Sequence, residues 1–151
     1  MHTFGFPCRI KQICRICDLW NIPVLEDAAE SLGATLNGKH TGTYGEFGVY
    51  SFNGNKIITT GGGGMVLCKN LDDGLSVKHV TTTAKKPHPY EFFHDEPGFN
   101  FRLPNLNAAL GCAQMEALPK LLEKKRNLAK QYKNFFMNSD FKFFEEPGYA
   151  H

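Results

Sequence analysis

An α/β fold built on a parallel sheet is predicted for this chain by three observations. Arg9 to Trp20 places apolar residues at helical spacing and leads directly into a short apolar stretch at Pro23-Val24-Leu25-Glu26. Two later runs, Gly48-Val49-Tyr50-Ser51-Phe52 and Met65-Val66-Leu67-Cys68, read as strands separated by a glycine-rich connection. The stretch from Leu106 to Phe136 returns to helical spacing. A helix followed closely by a buried strand is the rhythm of a parallel sheet covered by helices.

In the first helix, Ile10, Ile13, Cys14, Cys17 and Leu19 or Trp20 form the apolar side, with Lys11, Arg15 and Asp18 outward. Asn21-Ile22-Pro23 ends it, because proline cannot continue a helix and biases its predecessor toward extended backbone. Ser31 to Gly48 is rich in Gly, Thr and Asn and should hold loops and short strands. A helix is expected from Leu71 to Val80. Thr81 to Pro104 is polar and dense in Pro, His and aromatics, an irregular segment long enough to suggest a task. In the last helix Ala109, Cys112, Ala113, Leu118, Leu121 and Leu122 mark the apolar face, with a break or kink at Pro119. Lys124, Lys125, Arg126, Lys130 and Lys133 make the other face basic, which reads as a solvated surface.

The composition excludes several classes of function. The chain has 151 residues, 42% of them hydrophobic, enough for one ordinary core. Its 17 basic and 15 acidic residues leave a net charge of +2, with no basic stripe for nucleic acid. No apolar run is long enough to span a bilayer, and Met1 to Arg9 lacks the order of a secretory signal, so a cytoplasmic protein is expected. The 5 cysteines have no framework spacing. Cys14 and Cys17 form a C-x-x-C inside an apparent helix, without the second pair or histidines a zinc site needs, so reduced thiols and no metal are expected.

Three features fall at strand ends, where open α/β sheets place their ligands. Asp27 follows the strand ending at Glu26, Ser51 and Lys56 lie at or just past the end of the strand from Gly48, and Gly61–Gly64 precedes the strand at Met65. Pyridoxal phosphate (PLP) chemistry asks for this set. A lysine amine forms a Schiff base with the cofactor aldehyde. A carboxylate keeps the pyridine nitrogen protonated, and hydroxyls with backbone N–H groups hold the phosphate. Each feature also has an ordinary reading: a turn carboxylate, a solvated lysine, and a glycine run that is a flexible turn as readily as a phosphate cradle.

Longer motifs carry a resemblance. Val24-Leu25-Glu26-Asp27-Ala28-Ala29-Glu30-Ser31-Leu32-Gly33 resembles the cofactor-nitrogen segment of the DegT/DnrJ/EryC1/StrS sugar aminotransferases. Ser51-Phe52-Asn53-Gly54-Asn55-Lys56-Ile57-Ile58-Thr59-Thr60 and the glycines that follow resemble that family's lysine segment. His2-Thr3-Phe4-Gly5-Phe6-Pro7 resembles an earlier turn, with Phe6 where relatives often have His. Gly98-Phe99-Asn100-Phe101-Arg102-Leu103-Pro104-Asn105-Leu106-Asn107-Ala108-Ala109 resembles the entry to their long helix.

The resemblance implies part of a fold-type I aminotransferase large domain, a mostly parallel sheet with flanking helices, over residues 1–104. Residues 105–151 would hold the long helix and the start of a C-terminal domain. It implies PLP as cofactor, Lys56 as Schiff-base lysine and proton shuttle, Asp27 on the pyridinium nitrogen and Ser51 on the phosphate. Glu30 stands where relatives often have Gln or His near the cofactor ring and substrate. Asn100 or Arg102 would reach the phosphate of a partner subunit in a homodimer, or else clamp a loop. The reaction implied is ping-pong transfer of an amino group, from glutamate, to a nucleotide-linked 4-keto-6-deoxy sugar in surface-glycan synthesis.

Phe6-Pro7-Cys8, Glu30-Ser31 and Asn53-Gly54-Asn55-Lys56 resemble most closely the branch that makes UDP-linked 4-amino sugars for legionaminic acid. The segment Lys86 to Glu96 falls where family members differ, so it either bears on substrate or is a surface loop. Family members are much longer than 151 residues. A non-catalytic remnant, or a weak partner of an intact homologue, is therefore the alternative expectation.

Overall fold

The computed structural model of the chain describes residues 1–146 and 148–150. Its architecture is α/β, a small sheet with helices and a long C-terminal helix. Helix α1 spans Ile10–Leu19, strand β1 Leu25–Asp27, and a two-stranded ribbon pairs β2 (Thr35–Leu36) with β3 (Lys39–His40). Strands β4 (Phe47–Ser51) and β5 (Gly64–Cys68) follow, then helices α2 (Leu71–Thr81) and α3 (Asn105–Phe135).

The sheet has the order β1-β4-β5 and is mixed. β1 and β4 are parallel, with Asp27 opposite Val49, whereas β5 returns antiparallel to β4, with Ser51 opposite Gly64. The glycine-rich connection produces that reversal. Parallel neighbours need a crossover, usually a helix. Here residues 28–46 and their β2/β3 ribbon serve instead. The crossover passes so near β4 that a Cβ at Gly48 would lie 1.9 Å from the Gly42 carbonyl oxygen. Only glycine fits there.

Packing departs from the expected pattern in three places. On α1 the inward stripe is Ile10, Cys14 and Cys17, while Ile13, Leu19 and Trp20 stay exposed, as does Ile16. Lys11, Arg15 and Asp18 face outward as expected. In β1 the side chain sealed inside is Glu26 at 1% exposure, whereas Leu25 is open at 60%. On α3 the packed side is Asn107, Ala108, Gly111, Gln114, Leu118, Leu121 and Leu122, and Ala109, Cys112 and Ala113 are exposed. The physical reason is shared by the helices. Each offers more apolar surface than its neighbours cover, so spacing alone cannot say which stripe packs.

The fully buried apolar residues are few: Ile10, Ala28, Leu36, Phe52, Ile58, Ala84 and Ala150. Phe52 and Ile58 bracket the loop after β4, each contributing about 1.5–3 kcal/mol by burial. Helix α2 begins with a reciprocal cap. Asn70 Oδ1 accepts from the Asp73 N–H at 2.9 Å, and Asn70 Nδ2 donates to Asp73 Oδ2 at 2.7 Å. Asp72 and Asp73 in its first turn, and Lys78 and His79 in its last, suit the helix dipole.

At 31 residues, α3 is about 46 Å long. It is continuous through Pro119, where a break or kink was expected. Two of its basic side chains meet the tail, Arg126 with Glu146 at 3.0 Å and Lys133 with Glu145 at 2.5 Å. Among the described residues, no helix is long and apolar enough to cross a membrane.

Candidate active site

Lys56 stands on a loop held at both ends. The Phe52 N–H donates to the Gly63 carbonyl at 2.9 Å, and the Thr60 N–H donates to the Phe52 carbonyl at 3.1 Å, so the loop closes on the end of β4. Within it the Lys56 N–H donates to the Asn53 carbonyl at 3.1 Å, a tight turn. Helix α3 fixes the far side. Asn107 Nδ2 donates to the Thr60 carbonyl at 2.5 Å, and Gln114 Oε1 accepts the Thr59 N–H at 3.3 Å. These two polar side chains were not singled out in the sequence. Their signal is position: both lie on the packed side of α3, among residues too small or polar for an apolar stripe.

Asp27 ends β1 and Ser51 ends β4. Opposed residues in a sheet point to the same side, and so do residues two apart along a strand. Asp27 faces Val49, so Asp27 and Ser51 share a face. Strand geometry puts their Cα atoms roughly 8 Å apart. Asp27 Oδ1 accepts the Ala29 N–H at 3.1 Å, which orients the carboxylate. Ser51 Oγ accepts the Asn53 N–H at 3.3 Å, tying it to the base of the lysine loop.

Glu30 comes to the lysine from the turn after β1. Its Oε1 lies 3.7 Å from Lys56 Nζ, and its Oε2 accepts the Phe4 N–H at 2.8 Å. Asn100 and Arg102 sit elsewhere, on the exposed segment that crosses the end of α2. Asn100 makes a β-bridge with Thr82, and an Arg102 guanidinium N–H donates to the Thr82 carbonyl at 3.2 Å. The contacts of these two are those of a loop clamp.

Beneath the site is a buried charge the sequence reading did not use. Glu26 Oε2 receives His2 Nε2 at 2.9 Å and the Gly42 N–H at 2.8 Å. Glu26 Oε1 accepts from the Gly45 N–H at 2.7 Å and from the Tyr44 N–H. Burial pushes this carboxyl up, but the His2 hydrogen bond and the three backbone N–H groups outweigh it and hold the group below the usual range. The Cys8 N–H donates to His2 Nδ1 at 3.1 Å, so Nε2 carries the proton given to Glu26. Burial, with the charge of Glu26 second, raises the Tyr44 and Tyr50 phenols.

Two other clusters offer less chemistry. Burial raises the Cys8 and Cys14 thiols, and all 5 cysteines are unbridged, so Cys14 and Cys17 are thiols on a helix side. His79, Asp95 and Glu96 bring ligand atoms within 4.8 Å of one another. The Lys86 ammonium lies 3.4 Å from Asp95 Oδ2, occupying part of the space a cation would need.

The donor set fits PLP. A carboxylate and a hydroxyl stand at the C-terminal ends of two adjacent parallel strands, the position where α/β sheets bind ligands, and a lysine lies on the loop that follows the second strand.

Comparison with known proteins agrees. GDP-perosamine synthase of Vibrio cholerae is 37% identical over 137 residues, covering 89% of this chain and 36% of that protein. EpsN of Bacillus subtilis (strain 168), named provisionally as a pyridoxal phosphate-dependent aminotransferase, is 42% identical over 134 residues, covering 89% and 34%. The chain thus spans about a third of the length of these relatives. Among solved structures, Helicobacter pylori PseC, an aminotransferase involved in the biosynthesis of pseudoaminic acid, superposes with a TM-score of 0.88 at 26% identity. That match covers 93% of this chain and 38% of PseC. The aminotransferase TlmJ from Streptoalloteichus hindustanus, 24% identical, shares the fold with a TM-score of 0.94 over 99% of this chain and 41% of its own. The DegT/DnrJ/EryC1/StrS aminotransferase family model matches residues 1–147, and the chain belongs to that family.

Proposed function

We propose that this chain supplies the lysine-bearing part of a PLP-dependent sugar aminotransferase, acting on a nucleotide-linked 4-keto-6-deoxy sugar with glutamate as amino donor. The observation that supports this reading is Asp27 and Ser51 on one face at adjacent strand ends, with Lys56 on the loop that leaves the strand of Ser51, in a chain of an aminotransferase family.

When bound, PLP supplies the carbonyl that takes up the amino group and the ring that accepts electrons. Asp27, oriented by the Ala29 N–H, holds a proton on the ring nitrogen. Ser51 donates its hydroxyl to the phosphate. Lys56 Nζ would hold the cofactor and would be the group that moves a proton beside it. Glu30 lies beside that amine on the substrate side. Asn100 or Arg102, on the segment clamped to Thr82, would reach the phosphate of a second copy in a cytoplasmic homodimer.

For the nucleotide, Phe6-Pro7-Cys8 and Glu30-Ser31 favour a UDP-linked sugar of the legionaminic-acid type. The relatives named GDP-perosamine synthase favour a second reading, a GDP-linked sugar. Incubating the PLP-loaded chain with glutamate, then with UDP- or GDP-linked keto sugar, tests the reaction and the choice together. The reading expects glutamate to bleach the visible cofactor band and a UDP-linked sugar to restore it. Restoration by the GDP-linked sugar alone selects the second reading, and no bleaching by glutamate or any other amino acid overturns the aminotransferase assignment.

A further inference from the structure

Residues 2–6 lie against Glu30, beside Lys56, and are held there by a dense set of hydrogen bonds. Thr3–Gly5 forms a short 3-10 turn in which Phe4 has φ 53° and ψ 26°, a left-handed conformation that a bulky residue rarely adopts. Such a conformation persists only where the surroundings over-determine it. Here they do. The His2 N–H donates to the Asp27 carbonyl at 3.0 Å, and the buried His2 ring joins Glu26 at 2.9 Å. The Gly5 and Phe6 N–H groups close the turn on His2 and Thr3 at 3.3 and 3.1 Å.

The consequence of that conformation is the direction of one N–H. Phe4 donates to Glu30 Oε2 at 2.8 Å, and with Oε2 fixed, Oε1 is turned to 3.7 Å from Lys56 Nζ. Gly5 completes the contact: at φ 85° it lies over Glu30, and a Cβ there would come within 3.2 Å of the Glu30 carbonyl oxygen.

We infer that Glu30 is a positioning residue for the Lys56 amine, and that the Thr3–Gly5 turn, fastened by His2 to Glu26, sets the orientation of Glu30. The inference rests on Lys56 being the working amine. It adds a path by which a buried pair outside the site governs a group inside it. Other charges face Glu30 across a groove of about 740 Å³, namely Lys125, Arg126, Lys130 and Lys133 of α3 with Glu145 and Glu146 of the tail. Arg126 and Lys133 are engaged by those glutamates, and among the described residues the basic side chain paired with Glu30 is Lys56, at 3.7 Å.

The test needs no cofactor. Trinitrobenzenesulfonate labels free amines, and mass spectrometry gives the rate at Lys56 relative to exposed Lys11 in the full chain. Glu30→Gln keeps an acceptor for the Phe4 N–H but removes the charge that holds the amine. It should raise the Lys56 ratio about two- to fivefold, the range expected of a part-exposed ion pair. Gly5→Ala should raise it in the same direction, and the double variant should go no further than Glu30→Gln alone, because the turn acts through Glu30. Where Gly5→Ala fails to fold, Glu30→Ala tests the same link by faster amide exchange at Phe4. An unchanged Lys56 ratio in Glu30→Gln, or additive effects of Gly5→Ala and Glu30→Gln, overturns the inference. Because labelling is independent of PLP, such a failure leaves the aminotransferase reading standing.

Discussion

His2 and Glu26 face each other beneath the site, Nε2 to Oε2 at 2.9 Å, with both side chains fully out of solvent. A buried carboxylate is costly unless its oxygens are satisfied, and this one accepts four hydrogen bonds. It thereby ties together three pieces of chain that share no strand: the N-terminal turn, β1 and the 42–45 loop. The end of β1, where Asp27 stands, has its place through that junction.

Removing one member should expose the value of the junction. Glu26→Ala leaves His2 and three backbone N–H groups without an acceptor and should destabilise the chain by about 3–5 kcal/mol. Urea denaturation followed by circular dichroism measures this. A loss of less than about 1 kcal/mol would mean that water or a neighbour satisfies those donors.

Acid should act through the same carboxyl. The folded state holds Glu26 below the ordinary range, so its contribution is fully present above the unfolded value of about 4.3. It is lost as pH falls through the lower folded value. Urea midpoints measured from pH 7 down to pH 3 should fall below about pH 4.5, and Glu26→Gln should flatten part of that fall. An equally steep fall in the variant would place the acid sensitivity elsewhere.

The lysine loop should loosen when its ties to α3 are cut. Asn107→Ala removes the donor to the Thr60 carbonyl and should cost about 1 kcal/mol. Hydrogen exchange at Thr59 and Thr60 should rise, with little change in β4. Ile58→Ala, which empties a site only 1% exposed, should cost more, about 2–5 kcal/mol.

The parts of this structure legible in the sequence are those governed by local rules. Asn21-Ile22-Pro23 ends α1 because backbone constraint acts within a few residues. Lys56, Asp27 and Ser51 were picked out as candidates because strand ends and a family motif mark them. What was illegible depended on distance. Nothing local to Glu26 says that its partner is His2, 24 residues away. The reversal of β5 was hidden because an apolar run does not encode strand direction. Ile13 and Leu19 or Trp20 were assigned inward because apolar spacing tells how a helix could pack and not which of its sides is covered.

The most direct measurement of the central claim is the position of a fixed cofactor. The chain is incubated with PLP, reduced with borohydride and mapped by mass spectrometry, beside Lys56→Ala and Asp27→Asn. The account predicts one dominant adduct, on Lys56, that disappears in Lys56→Ala and weakens in Asp27→Asn. Adducts spread evenly over Lys11, Lys39, Lys124 and the other surface lysines, with Lys56 no more modified than they are, would contradict it.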